Sequence, residues 1–172
     1  MSGIIEVILA FMDKGGNVLW LIAALVFFMW TLIFERLYYF SASWKKDRAQ
    51  VVATWEQRGE RRSWNAKQVR MKLLSSSREL INDNMAVITT WVALCPLLGL
   101  LGTVTGMIEV FNVMAVTGGG DAKSMAGGVE KSTIPTMAGM VAALSGLFAN
   151  TYLQRIAARE QQFLEDQLTS DH

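Results

Sequence analysis

The sequence predicts an all-α integral membrane protein with three transmembrane helices, a helical loop between the first two, its N-terminus outside and its C-terminus inside the membrane. Three observations predict it. Residues 15–34, 84–108 and 132–154 contain no Asp, Glu, Lys or Arg, and each has the ~20 residues that an α-helix needs to cross a bilayer. A chain of 172 residues is too short to bury three such stretches in a soluble core. The basic residues, finally, gather in one place: Lys45, Lys46, Arg48, Arg58, Arg61, Arg62, Lys67, Arg70, Lys72 and Arg78 all lie between the first two stretches.

Composition removes other classes. Hydrophobic residues make up 52% and charged residues 18% of the chain, against a usual ~25% charged. That excludes disorder and a highly charged nucleic-acid binder. Cys95 is the single cysteine, so there is no disulfide framework, and the single histidine, His172, leaves neither a histidine metal site nor a Ser/His/Asp set. The net charge of +1 is an average over very uneven parts.

Residues 1–14 do not read as a signal peptide. No basic segment precedes the apolar run, and Glu6 interrupts it. Ile4, Ile5, Ile8, Leu9, Phe11 and Met12 instead suit a short amphipathic helix at the outer interface. The first transmembrane helix, 15–38, is bulky and apolar on every side, the profile of a helix facing lipid. Trp20, Trp30, Tyr38 and Tyr39 lie toward its ends, as an interfacial aromatic belt requires.

The loop at 39–84 has no proline and a single glycine, Gly59, and its Trp44, Val51, Val52, Trp55, Val69, Leu73, Leu74, Leu80 and Ile81 fall at helical intervals. Two helices divided near Gly59 are expected. Its ten basic residues place it on the inner side and read as a solvated face that fixes topology. The second and third transmembrane helices, 85–116 and 125–154, are joined by a turn at 117–124 that carries one basic residue, Lys123. Only Lys14 precedes the first helix, and Arg155 and Arg159 open the inner tail at 155–172.

The second and third helices are chemically unlike the first. Cys95, Gly99, Gly102, Gly106 and Glu109 recur at intervals of 4, 3, 4 and 3, and Ser132, Thr136, Gly139, Ala143, Gly146 and Asn150 at 4, 3, 4, 3 and 4. Each set shares one helix face. Small residues on such a face let helices pack closely in lipid, so Gly99, Gly102, Gly106, Gly139, Ala143 and Gly146 are expected at contacts of these helices with each other or with further copies. Glu109 shares the glycine face and is expected to point into protein. Pro96 and Pro135 sit early in the two spans, where a kink is tolerated if neighbours satisfy the freed carbonyls.

The polar groups of these helices are the sharpest functional candidates. Thr103, Thr105, Thr133 and Thr136 carry hydroxyls within the spans; Glu109, Glu130 and Lys131 lie near their outer ends. Any one threonine can simply bond back to its own helix, and the three charges lie within reach of the interface. Ionisable groups at membrane depth nonetheless mark function by default. No phosphate-binding loop is present, because the glycine-rich run 99–106 lacks its lysine and lies in an apolar span. Enzyme activity, a metal and a cofactor are not expected. Three spans are few for a monomeric transporter, so a homo-oligomer around a shared path is the natural construction.

Here the residues resemble a family. Leu97-Leu98-Gly99-Leu100-Leu101-Gly102-Thr103-Val104-Thr105-Gly106-Met107 resembles the second-helix signature of the ExbB/TolQ/MotA proton-channel family, and the run from Gly128-Val129 to Thr136-Met137-Ala138-Gly139-Met140-Val141-Ala142-Ala143 its third-helix signature. The close match covers about 94–159, and the compact length is most like a short ExbB of a TonB system. The resemblance implies a pentamer in the bacterial inner membrane with its N-terminus periplasmic and its C-terminus cytoplasmic. Its second and third helices would enclose single-span ExbD subunits, and the proton-motive force, with protons as the coupling ion, would drive TonB and outer-membrane uptake such as that of iron-siderophores or haem. The family's channel threonines fall on Thr103 and Thr136, with Thr133, Glu109, Glu130 and Lys131 nearby on the implied proton path. The family's frequent glutamate at the start of the third helix falls on Lys131; Glu130, one residue earlier, points about 100° away. The implied proton-carrying carboxylate then belongs to the ExbD partner. A TolQ- or MotA-like stator for another load, and a non-conducting scaffold, remain open at this point.

Overall fold

The computed structural model describes residues 2–57, 59, 63–118 and 122–168. Arg58, Arg61 and Arg62 of the basic loop, Gly119 and Gly120 of the expected turn, and His172 lie outside them. Among the described residues every element is helical and none is a strand: α1 (Ser2–Tyr38), a π-helical turn (Tyr39–Ser43), α2 (Trp44–Glu56), α3 (Trp64–Asn82), α4 (Met85–Thr117) and α5 (Ala122–Gln167). Three of the helices are long and apolar enough to cross a membrane, as expected of a multi-pass membrane protein.

Local sequence explains most of the boundaries. α1 is interrupted at Gly16, which takes φ 67°, ψ −164°, a conformation open essentially to glycine alone. Ser63 caps α3 by accepting a hydrogen bond from the Ala66 amide at 3.2 Å, filling one of the donors that a helix start leaves unpaired. Asn84 turns the chain from α3 into α4 at φ 58°, a left-handed position that asparagine tolerates better than most residues. α4 ends where Gly118 adopts φ 74°, the usual stop signal of a helix C-terminus.

The chain forms two compact units. Residues 1–30 and 89–147 make one, and 31–88 with 148–172 the other. In the first, Leu19, Ile22 and Met29 of α1 are buried together with Val92, Cys95 and Val110 of α4 and Ala142 of α5, while Phe28 meets Trp91 edge to face at 5.8 Å. The first membrane helix is therefore not lipid-facing all round. It carries a buried seam, with Trp20, Leu21, Phe27 and Phe28 left exposed. Bulk on every side of that helix hides the seam in the sequence; Gly146 selects it, because a Cβ there would stand 2.7 Å from the Met29 sulfur.

The second unit is held by aromatic burial and by arginines. Trp44 and Trp55 are each 1% exposed. The Trp44 indole donates to Glu160 at 2.7 Å, and Arg48 donates to the same oxygen at 3.0 Å while lying over the Phe163 ring at 4.7 Å. Arg70 donates to the Leu168 carbonyl and, at 3.3 Å, to that of Glu165, satisfying oxygens that the end of α5 would otherwise leave open. Arg36 is 4% exposed and reaches the Leu80 carbonyl at 3.3 Å and Asp83 at 2.5 Å.

Candidate functional site

The two small-residue stripes meet face to face. Cys95, Gly99, Gly102 and Gly106 of α4 are buried, as are Ser132, Gly139, Gly146 and Asn150 of α5, while Thr136 and Ala143 are half-buried. A Cβ on Gly99 would stand 3.0 Å from both the Pro135 carbonyl oxygen and the Thr136 Cα, and one on Gly139 would stand 2.5 Å from the Cys95 carbonyl oxygen. Backbone there rests on backbone. Gly102 and Gly106 make similar approaches to Pro135 and Ser132. Dispersion contacts of this closeness hold helices together where lipid offers no hydrophobic drive.

Into this crossing the chain places two hydroxyls. Thr136 donates to the Gly99 carbonyl of the other helix at 2.9 Å. Thr103, one turn along from Gly99, reaches the same carbonyl at 3.3 Å and is hydrogen-bonded to the Thr136 hydroxyl. Three polar groups from two helices thus converge in an interface built mainly of small residues. The other threonines behave differently. Thr105 bonds back to the Leu101 carbonyl at 3.0 Å and Thr133 to that of Glu130 at 3.1 Å, so of the four candidate hydroxyls only Thr103 and Thr136 link elements.

The charged candidates pair at one end of this unit. Lys131 holds both oxygens of Glu109 at 2.8 and 2.9 Å, and Lys14 holds Glu130 at 2.9 Å. Glu109 does not point into protein within the single chain: its side chain is 57% exposed, because one turn beyond Gly106 the inward position of α4 passes to Val110. Lys131 and Glu130, adjacent in sequence, take separate partners on separate helices. Among the described residues no group of three or more His, Cys, Asp or Glu stands ready for a metal ion. Lys14 and Gly16 escaped the sequence reading. Lys14 was noted only for topology, and its partner lies 116 residues away.

A cavity of about 430 Å³ opens beside the charged pair, between the Gly16 break of α1 and the Gly102, Thr105 and Gly106 face of α4. It is half polar and lies on the α1 side of α4. The aliphatic stem of Lys131 borders it, 3.5 Å from where a Cβ on Gly16 would stand.

The model of the MotA/TolQ/ExbB proton channel family matches residues 43–166. The chain is similar to the putative biopolymer transport protein ExbB-like 1 of Synechocystis sp., 39% identical over 80 residues that cover 45% of this chain and 32% of that protein. It is also similar to the biopolymer transport protein exbB1 of Vibrio cholerae (34% over 96 residues, 55% of this chain and 42% of that protein). A third relative is the biopolymer transport protein ExbB of Helicobacter pylori (31% over 84 residues, 48% and 58%). The matched stretch spans less than two thirds of each of these relatives. No solved structure matches significantly.

Proposed function

This chain belongs to the MotA/TolQ/ExbB proton channel family, and on that premise we propose that it is an ExbB-like subunit of an inner-membrane motor that uses the proton-motive force to energise TonB-dependent uptake. Five copies surround single-span ExbD-like subunits, with N-termini periplasmic and C-termini cytoplasmic, and the motor acts on a TonB-like protein. The basic residues between the first two membrane helices support that orientation, and the printed names of the relatives support the ExbB assignment.

One observation carries the reading: Thr103 and Thr136 meet on the Gly99 carbonyl within an apolar crossing. Hydroxyls both donate and accept, so they can follow a neighbouring carboxyl group through either of its protonation states without taking a charge themselves. A proton crossing the membrane releases about 2.3 kcal/mol per 100 mV. Neutralising a partner's carboxylate beside these hydroxyls changes how that partner sits against the subunit ring, and that change is what biases its motion. Lys131 and Glu109 neutralise each other at the outer rim.

The test is Thr136→Val, which keeps shape and removes the hydroxyl. Energised uptake is lost while the complex assembles at wild-type yield; uptake at the wild-type rate would sink the channel role of Thr136.

A further inference from the structure

We propose that the α3 face around Glu79 is a docking surface for Arg155 of a second copy of this chain, so that neighbouring copies join head to tail. The proposal deepens the ring assembly put forward above and rests on it. Glu79 stands two residues past Ser77, and Arg155 two residues past Leu153, both of them buried. Two residues turn a helix by about 200°, so both charges point away from the chain's own core. Both are exposed, as is Arg159 one turn beyond Arg155. Among the described residues, none of these three enters an ion pair or hydrogen bond within the chain. Their neighbours Arg78 and Arg48, by contrast, are paired with Glu165 and Glu160 of α5.

The two surfaces lie at matching depth. Arg36 of α1 reaches Asp83, and Trp44, eight residues or about 12 Å further along, reaches Glu160. Glu79 lies one turn, about 6 Å, below Asp83 on α3, and Arg155 five residues, about 7.5 Å, above Glu160 on α5. The two charges therefore stand within about 2 Å of one level. Around Glu79 there is room for a guanidinium: Ser76, Glu79, Leu80 and Asp83 line a recess of about 370 Å³. A planar guanidinium can hold a carboxylate through two parallel hydrogen bonds. Leu80 beside Glu79 and Tyr152, one turn before Arg155, are exposed large side chains, the apolar and aromatic company that arginine keeps at interfaces. The acidic and basic surfaces sit on different helices. Contacts made copy to copy in one direction between unlike surfaces of this kind close into a ring.

The experiment uses the full chain in detergent, with copy number read by native mass spectrometry. Glu79→Arg and Arg155→Glu are each expected to lower the assembled fraction about tenfold, because like charges then face each other across the seam. Both substitutions in one chain are expected to restore assembly. As a second measurement, Glu79→Cys and Arg155→Cys are combined in one chain and treated with a short bismaleimide, which is expected to link copies into a ladder beyond dimers. Cys95 is fully buried and does not compete. A link that stays within one chain, or a ladder that stops at dimers, overturns the head-to-tail seam. So does a loss on Arg155→Glu that Glu79→Arg neither matches nor rescues, which would mark Arg155 as a ligand of anionic lipid headgroups. Proton flux is read separately. A ring linked at these positions that conducts no protons overturns the channel reading and leaves the seam standing. A complex that conducts protons but neither cross-links nor responds to the reversals overturns the seam alone.

Discussion

Thr136 donates its hydroxyl to the carbonyl oxygen of Gly99, 2.9 Å away on the neighbouring helix. A threonine in a membrane helix ordinarily returns that bond to its own preceding turn, as Thr105 and Thr133 do here. The exception is made by Gly99, which has no Cβ to hold the two backbones apart.

That contrast separates the threonines by experiment. Thr103→Val removes a hydroxyl that joins two helices, costing about 1 kcal/mol of stability in a membrane and, on the proposed function, reducing energised uptake toward the uncoupled background. Thr133→Val removes a hydroxyl that serves only its own turn, so both uptake and melting temperature should match the wild type. Uptake assays and thermal unfolding in detergent read the two effects.

Glycine at the crossing is steric in purpose. Gly139→Ala would place a Cβ 2.5 Å from the Cys95 carbonyl oxygen and 3.2 Å from the Gly99 Cα, and neither neighbour is a side-chain end that can swing away. A loss of about 1–3 kcal/mol is expected from such overpacking. Gly127→Ala is the control. It has nothing within 4 Å, so replacing a helical glycine there should stabilise by about 0.5–1 kcal/mol. Denaturation of the purified protein should give opposite signs for the two.

Arg36 is tied to four groups: the Leu80 carbonyl, Asp83, Glu35 and the Tyr39 ring at 5.1 Å. Lysine cannot reproduce a planar fork that also stacks, so Arg36→Lys should destabilise by about 1–3 kcal/mol through unsatisfied partners. Asp83→Asn should cost less, because Asp83 is 60% exposed and water can take over its bonds. Thermal unfolding and limited proteolysis of the α3–α4 connection distinguish these.

Tyr39 supplies a pH signature. Burial, followed by its hydrogen bond to Asp47 at 2.9 Å, pushes its phenol up to about 12 from an ordinary 10.0. The folded protein favours the neutral phenol, so this group's stabilisation is complete below pH 10.0 and is lost as the pH rises through about 12. In an ultraviolet tyrosinate titration Tyr39 should ionise near 12. Tyr39→Phe should remove that step, and Asp47→Asn should move it downward.

The helices and the packing face were legible because membrane spans announce themselves by missing charge and small-residue stripes by their spacing. Cys95, Gly99, Gly102 and Gly106 are buried as their intervals require. The seam of α1 was not legible, since Leu19, Ile22 and Met29 differ little in character from the exposed Leu21 and Phe28. Nor was Arg36: a basic residue at the end of an apolar run reads as an interfacial anchor, and nothing local points to Asp83, 47 residues on. Glu109 shares the glycine register but lies a turn past the last glycine, where α4 presents Val110 inward instead. Spacing set Thr136 on the small-residue face of its helix, whereas Thr103 stood out through family resemblance, since spacing alone left it indistinguishable from Thr105 and Thr133.

The contact between Gly99 and Gly139 also has a mechanical consequence. Advancing α4 past α5 by one residue, about 1.5 Å, would bring Leu98 or Leu100 toward the place where even a methyl group would meet the Pro135 and Thr136 backbone. Near this crossing the two helices act as one stiff strut. On the proposed function, the compliance of a working stroke then falls at the seams between subunits and their partners rather than at this crossing.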